Sequence, residues 1–492
     1  MTTSPRSSAP AAPRRAVAGV RIPGPRSAGA SGAGTGAGTG AARRVGRPWG
    51  PYALAAVLFV AYALQSVLRY RRMETLSWDL GIFTQAISGY AHLQAPVADL
   101  KGPGSHILGD HFSPITAVLA PVYRLFPSPV TLLVAQALLF ALAAVPVTRA
   151  ATRLLGRARG LAIGAAFGLS WGVQRAVDFD FHEICFAVPL IAFSLEALLA
   201  RRWKAALWWA LPLSLVKEDL GVTAAAIALV VAYRVRRTSS RTAGWALLAA
   251  ALGLLVSLLA FTVVIPAFNT GGGYGYWDKL GEGGPLDGWD TKVRTLLWIL
   301  VPTTGLLALR SPLVLAALPT IGWRFLSHDD HYWSTDWHYS AVLMPVLALA
   351  LADAIDSSRR SPRPWLRAYA LQLPTAVAAA ALALTPYQPL SALTDPATYR
   401  RSEKVTRVEE LLARIPDGAS VESDVGPIAR LVSRCRVFWV GGTKGVVPDW
   451  IALDNGDGWA GPPVEYAKKL HPHARYTLVD RTDGYVLLKH TG

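Results

Sequence analysis

Residues 111–126 read HFSPITAVLAPVYRLF, and how this run is counted decides the topology of the whole chain. It is apolar, yet it is short, holds Pro114 and Pro121, and carries Arg124 near its end. A helix needs about 20 apolar residues to cover a hydrocarbon core about 30 Å thick. The run is therefore read as an interfacial or re-entrant helix rather than a crossing.

Around it, the chain is strongly apolar. Of 492 residues 52% are hydrophobic and 16% charged, which over this length implies many membrane spans rather than one large soluble core. The apolar runs are 51–68, 129–148, 160–174, 184–200, 203–216, 220–233, 243–267, 293–309, 311–326, 338–355 and 366–385. Arginine and lysine test the choice at 111–126. With that run left out and the amino terminus inside, Arg149, Arg153, Arg157, Arg201, Arg202, Lys204, Arg234, Arg236, Arg310, Arg359 and Arg363 all fall on the inner side. Counting it as a span sends most of them out. The positive-inside rule thus selects about eleven crossings, with the amino terminus in and the carboxyl terminus out.

The formal charge of +17 invites a nucleic-acid reading. The basic residues stand in short clusters between apolar runs, without the aromatic interleaving that stacks bases, so nucleic acid is excluded as a partner. Cys185 and Cys435, the two cysteines, exclude a disulfide framework and a cysteine-based zinc site. Residues 1–47 are rich in Ala, Gly, Ser, Pro and Arg. Their SGAGTGAGTG follows no strand and precedes no helix, so it reads as a disordered basic cytoplasmic arm and not as a nucleotide loop or signal peptide.

This topology places every unusual polar segment on the outer face: WDLGIF (78–83), GDHFSP (109–114), DFDFHE (178–183), KED (217–219), GGGYGYWDK (271–279) and SHDDHYWSTDWHYS (327–340). The KED segment separates two apolar runs of about 14 residues, and each reaches only about 21 Å. Its tip is expected below the outer interface, where ionisable groups line a water-filled cavity.

After about Thr385 the composition changes. ASVES, RVFWV, WIALD, YTLVD and GYVLLK read as strands, and RRSEKVTRVEELLARIP, GPIARLVSR and PVEYAKKLH as helices, giving a small α/β domain with a partly parallel sheet. A hairpin turn is expected at Asp483-Gly484. His471 and His473 read as surface residues. The expected fold is an all-α polytopic membrane bundle of about eleven transmembrane helices plus one interfacial or re-entrant helix, with a C-terminal extracytoplasmic α/β domain. The divisions are 1–47 (arm), 48–386 (membrane domain) and 387–492 (outer domain).

At WDLGIFTQAI, DHFSPI, LFPSPVTLLVAQALL, DFHEICFAVPL and LVKEDLG the chain resembles the domain of unknown function 2079 family of bacterial multi-pass membrane proteins, over roughly residues 51–490. That family in turn is similar in architecture to the GT-C glycosyltransferases, which use polyprenyl-phosphate sugars. The resemblance implies an acidic base in the first outer loop, at Asp79, and an acidic second outer loop, at Asp178 and Asp180. The family's paired acids of the first loop are missing, because Leu80 follows Asp79.

Each motif also has a purely structural reading. Asp79 caps a helix beginning at Leu80, or is a general base, or both. Asp110 is a cap, with His111 at the same mouth. Asp180 and Glu183 have the D-x-x-E spacing of a capping box; Asp178 and His182 then add a carboxylate and an imidazole that hold a divalent cation or a sugar. Lys217, Glu218 and Asp219 are a self-neutralising network, or Lys217 binds a lipid-linked phosphate as a point charge. His328 and His331, with Asp329 and Asp330 between them, are possible metal ligands. Tyr332, Trp333, Trp337 and Tyr339 are an interfacial aromatic belt or a stacking platform for a sugar. Residues 269–284 are an ordinary loop or a lid.

The leading expectation is sugar transfer, on the outer face of the cell membrane, from a polyprenyl-phosphate donor to an envelope glycan or protein acceptor. Asp79 and Lys217 carry the chemistry, with Arg175 or a metal as a possible aid at the phosphate. Asp110, His111, Asp178, Asp180, His182, Glu183, Glu218, Asp219, His331, His338 and Tyr339 bind substrate. The alternatives are a transporter or flippase, and a non-catalytic scaffold for envelope assembly. A transporter would want polar residues through the whole bundle and an inverted repeat, and the pattern of spans shows neither.

Overall fold

The computed structural model describes residues 49–275, 284, 287–454 and 461–492. The basic arm and residues 276–283 of the expected lid, 269–284, lie outside them.

Four helices among the described residues are long and apolar enough to cross a membrane: Gly50–Arg71, Pro129–Leu155, Ser240–Phe268 and Pro364–Tyr387. The rest of the expected crossings are shorter or broken. Arg157–Gly168 stops and restarts as Trp171–Asp178. Trp203–Ala210 tightens into a 3-10 turn, Leu211–Leu215, where Pro212 supplies no backbone donor. Pro312 opens another 3-10 turn before Leu318–Leu326. The run at 111–126 is a 3-10 turn, Pro114–Leu119, followed by a short helix, Ala120–Leu125. Its prolines stand at the start of each piece, where a missing N–H costs least.

Pro129–Leu155 is the central helix. In its apolar window 61% of residues are buried, against 28% to 33% in the other three long helices. It packs against Gly50–Arg71, Arg157–Gly168, Ile184–Leu199 and Leu343–Ser358. Ser240–Leu259 instead exposes Leu247, Leu248, Leu254, Leu255 and Leu258, a face that suits lipid. Two arginines of the bundle pair with acids on other helices. Arg149 forks onto buried Glu196, with Nε 3.0 Å from Oε1, and Arg234 lies 2.6 Å from Asp353.

The C-terminal sheet comprises β1 (Ser420–Ser423), β2 (Arg436–Trp439), β3 (Trp450–Asp454), β4 (Tyr476–Thr482) and β5 (Tyr485–His490), in the order β2-β1-β3-β5-β4. β1 is parallel to β2 and β3; β5 is antiparallel to β3 and β4. Asp483 and Gly484, at φ 49° and 89°, form the expected turn. His471 corrects an expectation. It is buried, with Nε2 2.5 Å from Oε2 of Glu422, whose Oε1 accepts from Gly441 N–H at 2.7 Å. A fully buried carboxylate must be partnered, and this imidazole is one partner. His473 is exposed, as expected.

The sheet is joined to the bundle. Ile82 and Ala86 of the helix Trp78–Ala91 share one hydrophobic core with Val408, Leu411, Val437 and Leu487. That helix therefore faces the C-terminal sheet on one side and the helical bundle on the other.

Candidate active site

All six polar segments contribute to the wall of one cavity of about 620 Å³. Trp78 and Asp79 come from the first, His111 from the second, Phe179 and His182 from the third, and Lys217, Glu218 and Asp219 from the fourth. Tyr274 comes from the fifth, and His331, His338 and Tyr339 are among those from the sixth.

Two lysine–carboxylate–histidine groupings meet there. In one, Lys217 Nζ donates to Glu183 Oε1 at 3.2 Å, and His182 Nδ1 lies 2.8 Å from Glu183 Oε2. Glu183 is fully buried behind the wall, so it positions Lys217 and His182 rather than touching the cavity. In the other, Asp110 bridges Lys101, at 3.1 Å, and His111. Burial pushes the Asp110 carboxyl up, but His111 and Lys101 outweigh it and hold it well below the usual carboxylate range. Burial likewise lowers the His111 imidazole, and Asp110 outweighs that, raising it. The His111 and His182 rings approach edge-on at 6.2 Å, and His182 stacks on His338 at 3.7 Å between centroids.

The loop before Asp79 is organised from a distance. Asp180, at φ +80°, turns its side chain away from the helix that follows it and accepts the backbone N–H of Ser77 at 3.0 Å. Ser77 is itself left-handed, at φ 64°, and the next helix begins at Trp78. Both conformations are uncommon outside glycine, and Asp is among the residues that adopt them more readily. Gln136, buried in the central helix, accepts from His182 N–H at 3.0 Å and donates to the carbonyls of Ala176, at 3.2 Å, and Asp180. Burial pushes the Asp180 carboxyl up to about 7.

Several expectations are corrected by this geometry. Asp79 is the second residue of its helix, not the cap; a carboxylate there still favours the first turn through the helix dipole. Asp180 and Glu183 do not form a capping box, because their side chains are committed to Ser77 and Lys217. Asp110 caps no helix onset, since Ser113 precedes Pro114 and Asp110 holds Lys101 and His111. Asp178 faces away from the cavity, 2.6 Å from Arg69 and 3.2 Å from Gln65. Arg175 is 4.0 Å from Asp336 and does not line the cavity. Of the possible metal ligands, Asp329, Asp330 and His331 gather at the rim, with His331 Nδ1 2.9 and 3.1 Å from the two carboxylates, while His328 is not among them. Trp333 is no belt residue. It is buried, donates to the Ser327 carbonyl at 2.7 Å, and lies beneath Lys292. Tyr332 and Tyr339 pack on Trp323, and His331 stacks on Trp337.

Some site residues gave no warning in sequence. Lys101 sits in the unremarkable ADLKGPG, and Gln136 is a single amide in an apolar run. Arg324 is fully buried and donates to the carbonyls of Tyr332 and Ser334, at 2.9 Å each, and to Ser340 Oγ at 3.1 Å, fixing the sixth segment. Tyr274 brings the glycine-rich loop onto the KED tip by donating to Glu218 Oε1 at 2.9 Å.

Over residues 69–487 the chain matches the family described as "Predicted membrane protein (DUF2079)". The chain belongs to that family. No curated protein matches it. Among solved structures, this DUF2079 member is similar to ArnT from Cupriavidus metallidurans bound to undecaprenyl phosphate. The identity is 16% and the TM-score 0.52, covering 88% of this chain and 97% of that one. ArnT from the same organism in the apo state matches at 15% identity over the same shares, with a TM-score of 0.46. At 16% identity the likeness to the undecaprenyl phosphate-bound structure concerns the fold alone.

Proposed function

We propose that this DUF2079 member is a membrane glycosyltransferase that moves a sugar from a polyprenyl-phosphate donor to an envelope acceptor at the outer face. The observation that carries the reading is the convergence of Asp79, His111, His182, Lys217 and His338 on one large cavity. The bundle crosses about eleven times, counting short and broken helices. The amino terminus is inside, and residues 387–492 form an outer domain. The ArnT structure of the same fold holds undecaprenyl phosphate, which supports a polyprenyl lipid as the partner.

In this mechanism the acceptor oxygen attacks the anomeric carbon and Asp79 takes its proton. The bond from that carbon to the phosphate oxygen breaks. Lys217, held by Glu183, stabilises the negative charge gathering on the leaving lipid phosphate. His182 and His338 lie beside Lys217 as donors for phosphate or sugar oxygens, and the aromatic rings of Tyr332, Trp337 and Tyr339 face the sugar. The prenyl tail stays in the bilayer, so no nucleotide site is required.

The test is transfer in proteoliposomes. Purified protein is supplied with radiolabelled undecaprenyl-phosphate sugars and a bacterial envelope extract. Label moving into acceptor, with release of undecaprenyl phosphate, supports the reading. Binding of undecaprenyl phosphate without transfer from any tested sugar would remove it.

A further inference from the structure

No described residue of 387–492 lines the cavity, yet the C-terminal sheet reaches its wall through one aromatic contact. β2 is an edge strand of the sheet, and its last residue, Trp439, meets Trp78 edge-on at 4.5 Å between centroids, with the planes at 74°. Trp78 lines the cavity and immediately precedes Asp79. Lys101 lies on the Trp78 ring at 5.8 Å, so that ring contacts a cavity cation as well as Trp439.

The same strand is fastened to the surrounding chain by polar bonds. Gln85, about two turns further along the helix Trp78–Ala91, donates to the Val437 carbonyl at 2.8 Å, and its Oε1 accepts Leu100 N–H at 3.1 Å. Arg436 forks onto Asp99 at 2.6 and 3.1 Å. Gly81 approaches Ile428 so closely that a Cβ there would lie 2.5 Å from its methyl carbon. The helix Trp78–Ala91 cannot shift along or about its axis without breaking these contacts. The Ser77–Asp180 bond fixes its start from the membrane side, and Trp439 fixes the same turn from the domain side.

We propose that Trp439 is a positioning residue: through Trp78 it sets where the Asp79 carboxylate stands in the cavity wall, so the C-terminal domain completes the site. This rests on the glycosyl-transfer reading above, in which Asp79 is the base. Edge-to-face aromatic pairs have a specific geometry, which a second aromatic can reproduce and an aliphatic side chain cannot. A displacement of about 1 Å at a reacting group lowers a rate by up to about 10²-fold.

The experiment compares Trp439→Ala, Trp439→Phe, Asp79→Asn and the double variant Asp79→Asn/Trp439→Ala in the full-length protein at matched amounts. Trp439→Ala is expected to lower kcat by roughly 10- to 100-fold with the KM for donor lipid little changed. Trp439→Phe should restore most of it. The double variant should be no slower than Asp79→Asn alone. A Trp439→Ala protein with unaltered kcat, or a double variant slower than Asp79→Asn, overturns the proposal. If Trp439→Ala does not accumulate, Arg436→Gln loosens the same dock from its exposed side and must lower kcat in the same sense. A second readout needs no activity. With Cys185 and Cys435 replaced by serine, the thiol of Asp79→Cys should react faster with a small maleimide when Trp439 is Ala, and at the unchanged rate when it is Phe. Equal rates in all three overturn the positioning role even if no sugar is transferred. An inactive parent protein with the expected labelling pattern removes the transfer reading and leaves the coupling standing.

Discussion

Asp180 Oδ2 accepts the backbone N–H of Ser77 at 3.0 Å, tying together two loops 103 residues apart. The bond fixes the turn from which the Asp79 helix starts, and both partners are buried. Asp180→Ala leaves that N–H without a partner, which costs about 1–3 kcal/mol. We expect a lower unfolding temperature in detergent and loss of transfer together. Asp180→Asn keeps an acceptor oxygen and should keep both. An alanine variant as stable as the parent would contradict the anchoring role.

Asp180 also predicts a pH dependence. Burial pushes its carboxyl up to about 7, whereas in the unfolded chain it titrates near about 3.9. Between those values the folded protein holds a proton that the unfolded chain has lost. Stability therefore falls as pH rises through about 4 to 7, and levels above it. Asp110 is shifted downward, so its contribution is lost only on acidification below the ordinary carboxylate range. Melting curves at pH 5 and 7.5 should differ more for the parent than for Asp180→Asn. Equal differences would assign the trend elsewhere.

Lys217 and Glu183 separate charge balance from chemistry. Lys217→Met leaves Glu183, fully buried, with the His182 imidazole but no ammonium, and breaking a buried pair costs up to about 3–5 kcal/mol. Protein yield should fall. Adding Glu183→Gln removes the stranded charge and should restore yield, but not transfer, since no ammonium then meets the leaving phosphate. Restored transfer in the double variant would exclude Lys217 from that role.

The proposed topology places residues 387–492 outside. Protease added to intact spheroplasts should digest that domain and spare an amino-terminal tag. Loss of the tag under those conditions would contradict the orientation.

Much of the site was legible because ionisable residues stand out in an apolar chain and the positive-inside rule puts them on one face. The sheet was legible too, since short alternating runs and a DG turn mark β1 to β5 locally. What failed was pairing. The D-x-x-E spacing of Asp180 and Glu183 fits a capping box, but the left-handed backbone at Asp180 sends its side chain to Ser77 instead. His471 looked solvated at a helix end because its partner, Glu422, lies 49 residues earlier in β1. Helix breaks at Pro212 and Pro312 were invisible to hydropathy, which counts apolar residues and ignores missing donors.

The most direct test of the account is Asp79→Asn in the proteoliposome assay with labelled undecaprenyl-phosphate sugars. Asparagine keeps the size and helix position of Asp79 but cannot accept the acceptor's proton. The account predicts unchanged protein yield and donor-lipid binding, with transfer reduced by roughly 10²-fold or more. Transfer at the parent rate by Asp79→Asn would contradict it.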